Sequence, residues 1–358
     1  MENQIPKKKL WNPNIQSLRG LSILLVLISH FFGKPAQFGA IGVGIFFCIS
    51  GYLITDILIS EYRETGQIRI VNFYKRRARR LLPLAFLVIS LTVIFVGISF
   101  TFSDSLSQDA QDNNFGDLRH YFLSALFCFF YIGNLFGFAH LGYNDLAPGL
   151  AHFWTLAVEE QFYFIWPVLL YAVLKKWNSL LSLICILGIL ATPAIHLVFF
   201  AQDKTSWTLP TSYLDLFFFG ALFTIYRKQI ERIQFSKLLI LMGSLVVALI
   251  VIYGIQLEDF ASQGYLIFTS AEILLFLGLF NWKPFGDIML LRRLGDLSYA
   301  LYCIHWPIII LFDNLEMNAM LKKAITLALS FSLAALSTKY FESRFWTPGN
   351  GKDRGESL

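Results

Sequence analysis

The chain has 358 residues, of which 56% are hydrophobic and only 15% charged, with a net charge of +5. A soluble domain of this length carries roughly 25% charged residues, so the composition excludes an ordinary water-soluble enzyme. The basic residues gather in short clusters between long apolar runs, which assigns the positive balance to membrane topology rather than to a nucleic-acid partner.

Lys7, Lys8 and Lys9 precede the first apolar run, as in a signal sequence. No small-residue cleavage site follows, and the run contains Arg19 and His30, so it reads as a retained first span. Arg19 and His30 lie eleven residues apart, almost three helical turns, which places both side chains on one face about 16 Å apart along the axis. Ionisable groups in a spanning helix are costly, and the default reading is functional.

Eleven apolar segments are expected to be helical: 15–33, 37–60, 82–103, 119–138, 153–174, 179–201, 210–227, 236–256, 262–281, 297–314 and 320–341. The basic clusters Lys7–Lys9, Lys75–Arg80, Lys175–Lys176, Arg227–Lys237, Lys283–Arg293 and Arg344–Arg354 belong on the cytoplasmic side. The intervening loops Asp104–Asp117, Gln202–Lys204, Glu258–Asp259 and Asp313–Glu316 are acidic or neutral. The alternation fails once. Asp117 and Lys175 require an odd number of crossings, yet two apolar segments lie between them. Residues 119–156 should therefore contain a short or re-entrant element, and such backbone is tolerated at membrane depth only beside a cavity or buried in protein. The expected fold is an all-α, polytopic transmembrane helix bundle of about ten spans plus that element. It divides into a cytoplasmic segment 1–14, a membrane domain 15–346 and a cytoplasmic tail 347–358. The four cysteines, 48, 128, 185 and 303, fall inside apolar segments without metal-ligand or redox spacing and read as core.

Three further stretches carry chemistry. In Lys75-Arg76-Arg77-Ala78-Arg79-Arg80, five of six residues are basic. They serve either as a topology anchor or, through Arg77 and Arg80 three apart on one side, as a bidentate phosphate grip. In His152-Phe153-Trp154-Thr155-Leu156-Ala157-Val158-Glu159-Glu160-Gln161, the two adjacent acids point about 100° apart on a helix, so at most one faces a given cavity centre. One of them can instead cap the helix start, and His152 reads equally as an interfacial histidine. In Ser298-Tyr299-Ala300-Leu301-Tyr302-Cys303-Ile304-His305-Trp306-Pro307, Tyr299, Tyr302 and His305 form one stripe. Pro307 bends that helix and frees a carbonyl. His305 alone also reads as a hydrogen-bonded packing histidine.

Taken together and in order, these elements resemble the acyltransferase 3 family of integral membrane acyltransferases, from Ile15 to about Trp346. The matching elements are Leu18-Arg19-Gly20 with Arg-x10-His, and Gly42-Val43-Gly44 leading to Ser50-Gly51-Tyr52. They continue with Phe73-Tyr74 before Arg77-x-x-Arg80-Leu81-x-Pro83, the His152–Tyr163 stretch, and Leu294-Gly295-Asp296 through Pro307. One departure is Ser212-Tyr213-Leu214 before Asp215, where the family often carries an arginine.

The resemblance implies acyl transfer across a bacterial inner membrane, from cytoplasmic acyl-CoA (usually acetyl-CoA) to a hydroxyl of a surface or lipid-linked glycan such as lipopolysaccharide O-antigen. No metal is required. Because the chain ends at Leu358, it is expected to resemble the stand-alone members that lack an added extracytoplasmic domain. His30 is the expected base, since an intrinsic pKa of about 6.5 suits proton transfer near neutrality. Arg19 and Glu159 complete the catalytic set, with Glu159 or His152 expected against the cavity that holds His30. Arg76, Arg77 and Arg80 are expected to hold the donor, and His152, Trp154, Tyr299 and His305 the acceptor. The competing classes are an acyltransferase acting on a small secreted molecule and a polytopic transporter, the latter consuming no acyl-CoA.

Overall fold

The computed structural model describes residues 12–32, 37–103, 118–139, 141–142, 145–195, 208–231, 234–255, 264–313 and 315–345. The N-terminal lysines, the tail beyond Phe345 and the acidic loops 104–117, 202–204 and 258–259 lie outside them.

Apolar runs of spanning length become helices because, in lipid, the backbone must satisfy its own hydrogen bonds. They are α1 (Pro13–Phe32), α2 (Gln37–Thr65), α3 (Ile70–Ser103), α4 (Leu118–Phe129), α5 (Phe153–Lys176), α6 (Leu181–Ile195) and α7 (Leu214–Ile225). After the single turn α8 (Arg227–Ile230) follow α9 (Ser236–Ile252), α10 (Gly264–Asn281), α11 (Met289–Asp313), α12 (Ala319–Leu336) and the short α13 (Ser343–Phe345). Among the described residues there is no strand. Seven helical stretches are long and apolar enough to cross a membrane, against the ten spans expected; α7, α9 and α10 are apolar but shorter.

The exception falls where the charge alternation failed. α4 has 12 residues, too few to span. Beyond it Tyr131 takes a left-handed φ of 54°, and the chain continues in 3-10 turns at Gly133–Ala139 and Pro148–Leu150 before α5. The Gln161 amide donates to the Tyr131 carbonyl at 2.9 Å and to Asn134 Oδ1 at 2.8 Å, so this irregular backbone is tied to α5.

α1 and α2 form the centre. α1 packs between α2 and α11, while α2 also meets α5, α7 and α10. In the α2 span 72% of residues are buried, against 17% in α12, so α12 is peripheral. Glycine closes several crossings, those at Gly20 and Gly51 among them. A Cβ on Gly20 would sit 1.9 Å from the Leu291 carbonyl oxygen, and one on Gly51 2.1 Å from that of Phe217. Small residues permit this approach, which lets van der Waals packing replace the hydrophobic drive that lipid cannot supply. The α1 end is latched by Asn14, whose amide donates to the carbonyls of Leu279, Phe280 and Trp282 at 3.1, 2.7 and 3.1 Å.

Candidate active site

The packing of α11 on α1 brings two histidines together. His30 Nδ1 lies 2.9 Å from His305 Nε2, and the rings stack with centroids 5.1 Å apart. His305 Nδ1 faces the carbonyls of Leu301 and Tyr302 at 2.9 and 2.8 Å. Carbonyls only accept, so Nδ1 of His305 carries the hydrogen and its Nε2 offers a lone pair. His30 Nδ1 must then donate to it. The Nε2 of His30 is left as a lone pair, the form a general base requires. Trp306 closes over the His30 ring at 4.5 Å.

Pro307 has the effect that its position in the sequence implies. It has no N–H for the carbonyl four residues earlier, that of Cys303. His152 Nε2 donates to this carbonyl at 3.3 Å. That bond fixes the tautomer of His152 and leaves its Nδ1, buried and without a hydrogen-bond partner, as an acceptor.

His30, His152, Trp154 and Trp306 line a cavity of about 620 Å³ together with Asn134, Tyr213 and Glu272. Gly133, Asn134, Phe136, Asp145 and Leu146 of the irregular backbone supply part of its wall, and broken backbone is tolerated where it lines a cavity.

A second cavity, about 110 Å³, lies toward the other end of α1. Arg19, Arg77, Arg80, Glu159, Tyr163 and Tyr299 line it. Arg19 donates to Ser298 Oγ at 3.0 Å, and the Tyr299 hydroxyl donates to the Leu81 carbonyl at 2.5 Å, so α1, α3 and α11 are held around it. Arg77 arrives already paired. Its Nε meets Glu160 at 3.2 Å, Nη2 meets Glu159 at 3.8 Å, and the guanidinium lies 3.1 Å over the Tyr163 ring. Glu159 in turn accepts from Ser50 and Tyr163. Arg80 has no salt-bridge partner among the described residues. The two cavities share three lining residues, Val43, Thr155 and Tyr302, and the Thr155 and Tyr302 hydroxyls are hydrogen-bonded to each other.

The sequence-derived candidates thus divide. His30, His152 and Trp154 gather in the large cavity; Arg19, Arg77, Arg80 and Tyr299 gather in the small one. Of the two residues expected against the His30 cavity, His152 lines it and Glu159 does not. Glu159 lies one helical turn further along α5 and is held by Arg77. Arg76 is exposed and lines neither cavity, because a step of 100° from Arg77 turns it outward. His305 is fully buried behind His30 rather than on the cavity wall. Glu272 and Ser50 were not singled out from sequence. The only signals for them were a lone acid inside an apolar run and the Gly42–Tyr52 stretch.

Fold and site define a polytopic membrane protein with a histidine-lined cavity and an arginine-lined cavity that share part of their walls. The acyltransferase domain model matches residues 12–338, so the chain belongs to that acyltransferase family. It is similar to the peptidoglycan O-acetyltransferase OatA of Listeria monocytogenes, 28% identical over 92% of this chain and 55% of the relative. It is also similar to YrhL of Bacillus subtilis (30% over 94% and 55%) and to the O-acetyltransferase OatA of Staphylococcus aureus (27% over 92% and 56%). The chain spans about half the length of these relatives. No solved structure matches the chain.

Proposed function

We propose that the protein is a membrane O-acetyltransferase. It moves an acetyl group from acetyl-CoA on the cytoplasmic side to a hydroxyl of a cell-wall or lipid-linked glycan on the other side. The observation that carries this is the placement of His30 Nε2, left as a lone pair in one cavity, against an adjoining cavity that holds Arg80, which has no salt-bridge partner among the described residues. Family membership supports the chemistry, and the similarity to the Listeria monocytogenes and Bacillus subtilis proteins, a peptidoglycan O-acetyltransferase and a putative one, favours a peptidoglycan-like acceptor over the O-antigen expected from sequence. The basic ends of α3 and α5, at Lys75–Arg80 and Lys175–Lys176, orient the arginine cavity inward.

In this scheme Arg80 and Arg19 hold the donor's phosphates or its pantetheine arm, and the thioester reaches the Thr155–Tyr302 boundary. His30 Nε2 takes the proton of the acceptor hydroxyl as its oxygen adds to the thioester carbonyl. The C–S bond then breaks, an ester forms, and the CoA thiolate recovers the proton from His30. His305 holds the ring while it carries the charge.

The test uses membranes containing the protein and acetyl-CoA labelled in the acetyl group. Label should appear in glycan as an ester that mild alkali releases as acetate, and His30→Ala should abolish it. Transfer that persists in His30→Ala at more than a few per cent of wild type refutes the base assignment. Membranes that consume no acetyl-CoA refute acyl transfer altogether.

A further inference from the structure

The His30 cavity contains an acid that the scheme above does not use. Glu272, on α10, is 2% exposed and lines this cavity, and its Oε2 has no hydrogen-bond partner. Its place is built. A Cβ on Gly44 would fall 2.1 Å from the carboxyl group, so only glycine at that point of α2 leaves room for it. The charged side chain that bears on it electrostatically is another acid, Asp215 of α7, itself buried and already accepting from Thr269 at 3.2 Å. A buried carboxyl oxygen without a donor costs free energy in any membrane protein. Such a group is retained where function needs it.

A second unsatisfied atom belongs to the same wall. His152 Nδ1, buried and fixed as an acceptor, also has no partner and also belongs to the wall of this cavity. Two residues of this wall therefore carry an acceptor atom that no donor among the described residues reaches. Trp154 and Tyr213 line the same cavity, and their rings lie 5.6 Å apart and tilted by 33°. Aromatic faces pack against apolar C–H surface, while acceptors at the rim take O–H groups. A ligand with a C–H face and a periphery of hydroxyl donors satisfies both, and a pyranose has that form.

We propose that Glu272 and His152 Nδ1 are the acceptor-binding pair, each taking a hydrogen bond from a hydroxyl of a saccharide seated on Trp154 and Tyr213. These two bonds turn the reacting hydroxyl toward His30. The proposal names the acceptor subsite of the transferase above and rests on that reading for its purpose, but binding itself needs no donor.

The test is equilibrium binding of a tetrasaccharide of N-acetylglucosamine to the detergent-solubilised protein without acetyl-CoA. The permethylated tetrasaccharide, which keeps its oxygens and loses its O–H groups, serves as the control. Wild-type protein should bind the first and not the second. Glu272→Met, an unbranched apolar replacement, should weaken binding about tenfold, the value of one hydrogen bond to a charged or strongly polar acceptor. It should leave thermal stability equal or higher, because an unpaired buried acid has been removed. Glu272→Gln, which keeps one acceptor oxygen, should fall between. Equal binding of the permethylated sugar, no wild-type binding, or unchanged affinity in Glu272→Met each overturns the proposal. So does a Glu272→Met protein that has lost stability along with affinity, since the acid then has a structural role. Wild-type protein that binds the sugar but transfers no acetyl group sinks the transferase reading and leaves this one standing.

Discussion

His305 never touches the cavity, yet its replacement should disable the reaction. It is fully buried, and its Nε2 is the acceptor for His30 Nδ1 at 2.9 Å. His305→Phe keeps a ring in the same space and removes that acceptor. The Nδ1–H of His30 is then unpaired in a pocket closed by Trp306. A buried donor without a partner costs about 1–3 kcal/mol. At about 1.4 kcal/mol per tenfold, this predicts a roughly 5- to 150-fold loss. The loss should fall on kcat, because the bond matters most when His30 carries a proton in the transition state. KM for acetyl-CoA should hold, since the arginine cavity is untouched. His305→Gln places an amide oxygen near the lost nitrogen and should recover most of the rate. Steady-state kinetics of the three proteins in matched detergent, with thermal unfolding as a folding control, gives the measurement. Full activity in His305→Phe, or equal losses in Phe and Gln variants of unchanged stability, refutes the idea that His305 sets the tautomer of His30.

The arginine cavity gives two contrasting expectations. Arg80→Ala should raise the acetyl-CoA KM about tenfold with stability intact, and Arg80→Lys should recover little if the fork matters; full rescue by Lys in a CoA-binding titration argues for simple charge. Arg77→Ala instead leaves Glu159 and Glu160 without their cation and should destabilise by about 2 kcal/mol, below the range for fully buried pairs because Arg77 retains 19% exposure; a thermal melt unchanged from wild type contradicts this. Gly51→Ala should cost about 1–3 kcal/mol because its methyl meets the Phe217 carbonyl 2.1 Å away, and a stable variant means that α2 and α7 slide apart freely. For topology, single cysteines at Gln67 and Asn178 should label from the cytoplasmic side and those at Leu141 and Asn318 from the other. Asn178 and Leu141 reporting the same side would show an even number of crossings between α4 and α6.

Much of this was legible in the chain because membranes restrict the options. Apolar length marks spans, and an ionisable residue within one marks a cavity, so Arg19 and His30 were found from one segment. The failed charge alternation located the broken stretch 119–156, and Pro307 announced a freed carbonyl. What stayed hidden depends on helix rotation and on partners far apart in sequence. Nothing in the His152–Tyr163 stretch says that Glu159 turns to Arg77, because a single helix does not reveal which neighbour it meets. The bond between His30 and His305 joins residues 275 apart. Glu272 was obscured for the same reason: one acid on an apolar helix acquires meaning only when α2 brings Gly44 against it.

The contact between Thr155 and Tyr302, backed by Val43, has a bioenergetic consequence. The two chambers meet at the hydrogen-bonded Thr155–Tyr302 contact, which both of them share as wall. A transmembrane enzyme with a through-bore would short-circuit the ion gradient of the membrane that holds it. In the proposed transfer only the small acyl unit has to pass this partition, while the bulky carrier and the receiving polymer stay on their own sides, so the reaction needs no such bore.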